Sequence, residues 1–163
     1  MRELTVRVRF VSPALGNQKL RDGSGRFVFS RSPSGHVVFP ASWHHANMRL
    51  AAELLGRYQD DVSKIFWDIN VDAKLRAGKW HKVYYQTREH GRMRYTQHEA
   101  FFPGQVVGIN CVVPNTIDED GFWRLLSKAG QYKGISPWHP GEYGFYEVVS
   151  IRPRRAAGIE ELD

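Results

Sequence analysis

Trp80, Lys82, Tyr84, Gln86 and Arg88 recur at every second position, so an extended strand over 79–88 sets rings and cations on one face and His81, Val83 and Tyr85 on the other. Rings interleaved with cations stack on bases and neutralise phosphates. A turn at Glu89-His90-Gly91 leads into a second extended run, 92–101, which makes 79–101 a basic hairpin. Lys82, Tyr84, Arg88, Arg92 and Arg94 are its expected contacts with a nucleic acid. Charge supports this reading: seven Lys or Arg stand against one acid between Lys74 and Arg94, an excess equal to the +6 of the whole chain. Such a localised excess is an electrostatic footprint for a polyanion.

A second group lies further on. Gly134, Gly141 and Gly144, spaced by Pro137 and Pro140, enclose Lys133, Trp138, His139 and Tyr143. Backbone N–H groups beside a cation and rings suit phosphates and bases, so Lys133, Trp138 and His139 are candidate contacts. The alternative is a proline-stiffened connection between a helix and a strand. Other chemistry is thinner. His44 and His45 are adjacent, but no carboxylate or third histidine sits at ligand spacing, so no metal site is expected; one is read as packed and the other as facing solvent. Asp68 and Asp72 are too isolated to form one. Neither a phosphate-binding glycine-lysine motif nor a nucleophile motif is present, and no catalytic residue or cofactor is assigned.

The elements that must position these groups follow from hydrophobic period. Residues 4–11 alternate strictly, with Leu4, Val6, Val8 and Phe10 on one face and Arg7 and Arg9 on the other, as in a half-buried strand. Residues 12–25 read as a loop, and 26–30 with 36–39 as a small hairpin. A helix over 42–55 follows Pro40, with Ser42 as its expected N-cap, Gly56 beyond its end, and Trp43, Ala46, Leu50 and Leu54 sharing a face. Residues 65–71 and 105–113 are expected strands. A second helix spans 117–129, with Thr116 and Glu119 at capping-box spacing, Phe122, Leu125, Leu126 and Ala129 on one face, and Gly130 as its left-handed end. The last strand covers 145–151.

With 163 residues, 42% hydrophobic and 13% aromatic, the chain is expected to fold as one domain over 1–152 with a loose tail at 153–163. The absence of a long apolar run, the charged start MRELTVRVRF and the single Cys111 lead to the expectation of a cytoplasmic protein without a membrane partner. The expected fold class is α+β: a ferredoxin-like, RNA-recognition-like antiparallel sheet with two main helices on one face and an inserted basic β-hairpin.

Two stretches together resemble a known family. Pro40-Ala41-Ser42-Trp43-His44-His45-Ala46-Asn47-Met48-Arg49 is similar to the proline-glycine-serine-serine-leucine-lysine-glycine-x-leucine-arginine motif of the RAMP superfamily, the guide-RNA-binding subunits of CRISPR effector complexes. Pro40, Ser42 and Arg49 are kept; Ala41 and Ala46 replace glycines and His45 replaces a lysine. Residues 134–146, ending Tyr143-Gly144-Phe145-Tyr146, resemble the family's C-terminal glycine-rich loop without its arginine. The resemblance implies a domain that holds single-stranded RNA, such as a guide RNA, against its helix start, where His45 and Arg49 lie, its glycine loop and its basic hairpin. Homo-oligomers or CRISPR effector subunits are the implied protein partners. A mobile-element protein that antagonises such a complex would read the same way. A further alternative is a metal-independent endoribonuclease, which in relatives uses histidine with tyrosine, lysine or serine, though no spacing singles out one of the seven histidines; other relatives cleave target RNA through an aspartate in the loop after the first strand, where Asp22 is the acid here.

Overall fold

Alternation builds the central strand. Leu4, Val6, Val8 and Phe10 of β1 (Arg2–Phe10) are buried while Arg7 and Arg9 stay exposed. The computed structural model describes residues 1–75, 79–88, 91–135 and 142–154. In chain order β1 is followed by β2 (Ala14–Leu15), β3 (Gln18–Lys19), β4 (Arg26–Val28), α1 (Ala41–Leu55), β5 (Phe66–Asp72), β6 (His81–Gln86), β7 (Met93–His98), β8 (Ala100–Phe101), β9 (Val106–Val113), α2 (Glu119–Tyr132) and β10 (Tyr146–Pro153).

The main sheet has the order β10-β1-β9-β5, every neighbour antiparallel. Together with α1 after β1 and α2 after β9, this is the β-α-β-β-α-β order of a split βαβ sheet. Phe122, Leu125, Leu126 and Ala129 of α2 are all buried, as their spacing predicts. Asp118, not Thr116, caps α2: its carboxylate accepts the Gly121 N–H at 2.7 Å, a cap worth about 1 kcal/mol. The Thr116 hydroxyl instead donates to Asp61. Gly130 does not end the helix. It lies within the helix, where any side chain would meet the Tyr146 carbonyl, and the left-handed residue is Gly134, two positions past Tyr132.

α1 differs more from expectation. It starts at Ala41 with Pro40 in the N-cap position, so Ser42 lies inside the helix and caps nothing; Gly56 closes it in the left-handed conformation. The buried stripe is His44, Asn47, Met48, Ala51 and Ala52, while Ala46 and Leu54 are exposed and Trp43 and Leu50 half-buried. That stripe has equally good helical spacing, but two of its members are polar, so hydropathy concealed it.

Residues 12–25 are not all loop, for they contain β2 and β3. The expected hairpin of 26–30 and 36–39 is reduced to its tip, where Arg31 and Val37 form an antiparallel bridge and the Val38 N–H donates to the Ser30 carbonyl at 2.9 Å, while β4 joins β3 on one side and, in parallel, β7 on the other. The expected run 92–101 bends at Glu99, whose carboxylate is turned inward by the Phe29 N–H at 2.9 Å and Arg31 at 2.8 Å. The residues beyond the bend, β8, pair with β2. The basic hairpin is thus half of a second four-stranded sheet, β3-β4-β7-β6. Phe101 anchors it to the core, with Phe10, Phe29 and Phe39 around it at ring separations of 5.9, 5.3 and 5.8 Å.

Candidate nucleic-acid interface

The register of the hairpin is Lys82 opposite Gln97, Tyr84 opposite Tyr95 and Gln86 opposite Met93. Because strand side chains alternate, these residues share one face, and Arg26 of β4, opposite Gln97, joins them. The face is open to solvent: Tyr84 is 60% and Tyr95 50% exposed. The Lys82 ammonium lies 4.7 Å from the centre of the Tyr95 ring, and the Tyr84 and Tyr95 rings are 5.7 Å apart, tilted by 57°. At the inner end the Arg26 guanidinium lies 4.8 Å over Trp80 while its Nε donates to the Gln97 side-chain oxygen at 3.0 Å.

The opposite face is different. It carries His81, Val83 and Tyr85 of β6 against His98, Thr96 and Arg94 of β7. Near the core this face is closed. His98 is fully buried, stacked on Phe27 at 4.7 Å, with one ring nitrogen 2.7 Å from the Gly16 carbonyl and the other 2.8 Å from the Thr96 hydroxyl; burial holds its pKa below the usual histidine value. Toward the tip, Tyr85 and Arg94 emerge into solvent. The structure therefore separates the hairpin residues singled out in the sequence. Lys82 and Tyr84 point one way, Arg94 the other, and Arg88 and Arg92 are exposed beside the turn.

The glycine segment meets the hairpin. The Tyr143 ring packs edge-on against His81, centroids 5.8 Å apart, and burial lowers the His81 pKa and raises that of Tyr143. Its stem is a backbone clasp: the Ile135 N–H donates to the Gly144 carbonyl at 2.8 Å, and the Gly144 N–H to the Pro13 carbonyl at 2.7 Å. Gly134 and Gly144 both have φ +74°, and a side chain on Gly134 would stand 2.6 Å from the Gly144 carbonyl carbon. Lys133 is exposed at the end of α2; Trp138 and His139 lie outside the described residues.

His45 and Arg49 sit one helical turn apart on α1 and line a separate groove of about 240 Å³ with Gln59, Val62 and Ser63. His44, its neighbour, is buried against Trp67 at 4.5 Å and pushed down to about pKa 3 by that burial. One packed and one facing outward is the arrangement the sequence suggested. Sequence reasoning missed Arg26, Tyr95, Gln59 and Ser63. Tyr95 was recoverable from the alternation of Arg94, Tyr95 and Thr96 once the register was fixed, whereas Arg26 reaches the hairpin only through the parallel pairing of β4 with β7.

Asp22 is exposed in its loop, whereas Cys111 is buried in β9. The Ser24 hydroxyl and the Ser24 N–H, the latter at 2.9 Å, both donate to the Asp22 carboxylate and hold its pKa below the usual carboxylate value. Burial pushes the Cys111 thiol up to about 12. Among the described residues no three His, Cys, Asp or Glu are grouped to hold a metal ion, and no helix is long and apolar enough to cross a membrane.

No protein-family profile and no curated protein matches the chain. Solved structures do. Over 93% of its length the chain is similar, with a TM-score of 0.65 and 14% identity, to a chain of the type III-B Cmr-beta complex determined by cryo-EM bound to cognate target RNA. It spans 60% of that chain's length. At this identity the likeness is one of fold.

Proposed function

We propose that this chain is a single-stranded-RNA-binding domain of the RAMP type, acting with the RNA or protein subunits of a CRISPR effector complex and binding without cleaving. The observation that carries the reading is the coincidence of two independent features. Over 93% of its length the backbone is similar to part of a chain of an RNA-bound Cmr complex, and the sheet added to its core displays an exposed face of tyrosines and cations in the chain's most basic segment. Either feature alone is weaker support, since folds host many functions and basic faces serve many partners. The ferredoxin-type core supplies the scaffold, and the RAMP-like helix start with His45 and Arg49 offers a second contact. Binding without cleavage is supported by how His44 and His98 are engaged, the first packed on Trp67 and the second buried and hydrogen-bonded to the Gly16 carbonyl.

Fluorescence anisotropy with labelled single-stranded RNA, repeated across a salt series, tests the reading. Affinity is expected to fall steeply with salt, with a log–log slope of about −0.7 for each phosphate neutralised. Absence of binding at low salt, or binding that prefers duplex DNA, would count against it.

A further inference from the structure

We infer that the solvent face of β6 and β7 is a base-stacking platform, on which Tyr84 and Tyr95 hold unpaired bases while Lys82 and Arg26 hold the adjoining phosphates. The inference deepens the RNA-binding reading above and rests on it. Tyr84 and Tyr95 are directly opposed, exposed and tilted rather than packed flat on each other, so each presents ring surface to solvent. Without RNA, the Lys82 ammonium occupies the Tyr95 ring. A cation over an exposed ring is worth roughly two- to fivefold in an equilibrium, whereas a stacked base is worth roughly five- to 150-fold. An arriving base therefore displaces the ammonium, which is left beside the phosphate attached to that base. At the other end of the platform Arg26 is fixed over Trp80 and by Gln97, so its guanidinium is already oriented and loses little freedom on binding.

The same geometry assigns no part in the platform to Tyr85 and Arg94. Both are exposed and of the same residue types, but they project from the opposite face of the hairpin. Composition cannot distinguish Tyr84 from Tyr85; the pleat does.

The test titrates a fluorescein-labelled oligouridylate and an abasic ribose-phosphate oligomer of equal length against the full chain and four variants. Tyr84→Ala with Tyr95→Ala is expected to weaken oligouridylate binding roughly tenfold or more, bringing it to the level of the abasic oligomer. Tyr84→Phe with Tyr95→Phe keeps the rings and is expected to bind like the unsubstituted chain. Tyr85→Ala with Arg94→Ala is expected to stay within about threefold, the loss of one peripheral phosphate contact. Lys82→Met is expected to weaken both probes by the same factor. If the alanine pair fails to fold by circular dichroism, the phenylalanine pair and the comparison of the two probes carry the test. Equal affinity of the unsubstituted chain for both probes overturns the platform while leaving RNA binding intact. An unaffected alanine pair, or an equal loss from the far-face pair, overturns it too. Failure of the unsubstituted chain to bind either probe overturns the RNA-binding reading and the platform together.

Discussion

Gly144 has two reasons to be glycine. Its φ of +74° costs other residues on the order of 1–3 kcal/mol, and any side chain would run into the Ile135 carbonyl. Gly144→Val is therefore expected to lower the denaturation midpoint sharply, measured by urea unfolding, with RNA affinity changing only as far as the clasp opens. The glycine is structural first, and a ligand role for the segment must come from Lys133, Trp138 or His139. His44 offers a pH dependence of defined sign. Unfolded, it protonates near 6.5; folded, burial beside Trp67 keeps it neutral down to about 3. The unfolded chain thus binds more protons throughout that window, so stability is full above it and is lost as pH falls through it. His44→Phe, which keeps an aromatic ring against Trp67, is expected to flatten this acid limb in urea denaturation measured between pH 4 and 7.

At the scale of elements, what was legible depended on whether a signal is local. The stripe of α2, the alternation of β1 and the parity of 82, 84 and 86 are local patterns, and all match the structure, while Arg88 falls in the turn beyond the strand. The parallel joining of β4 to β7 is not local, because it brings Arg26 beside Gln97 across 71 positions of chain. The stripe of α1 failed for another reason: His44 and Asn47 are buried polar residues, held by ring stacking on Trp67 and by a weak bond from Asn47 to the Tyr146 hydroxyl, and hydropathy assigns them to solvent. Reversing the charges of Lys82, Arg88, Arg92 and Arg94 together to glutamate is expected to abolish RNA binding with little change in melting temperature, since exposed charges contribute under about 1 kcal/mol each. Arg94→Glu alone is expected to have the smallest effect of the four singles. Arg49→Glu, on the separate α1 groove, should weaken binding additively with the hairpin changes if both surfaces contact one RNA. Anisotropy on the single and combined variants checks both expectations.

Across the whole molecule, the central strand is made first and completed last. β1 takes its two neighbours from residues 106–113 and 146–153, so the residues nearest the start of the chain lie between the two most distant strands of the sheet. No local partner can hold β1 before then: its four buried apolar residues have neither sheet neighbour until β9 is made, and only one until β10 is. Closing loops of this length before any contact rewards them is slow, and refolding is expected on the order of milliseconds to seconds rather than microseconds. Stopped-flow refolding followed through tryptophan fluorescence measures it. During synthesis the consequence is sharper: β1 has no native sheet partner until residues 106–113 have emerged. Nascent chains halted after residue 105, before β9, are expected to be cut freely by protease within β1, and chains with β9 and β10 exposed are not.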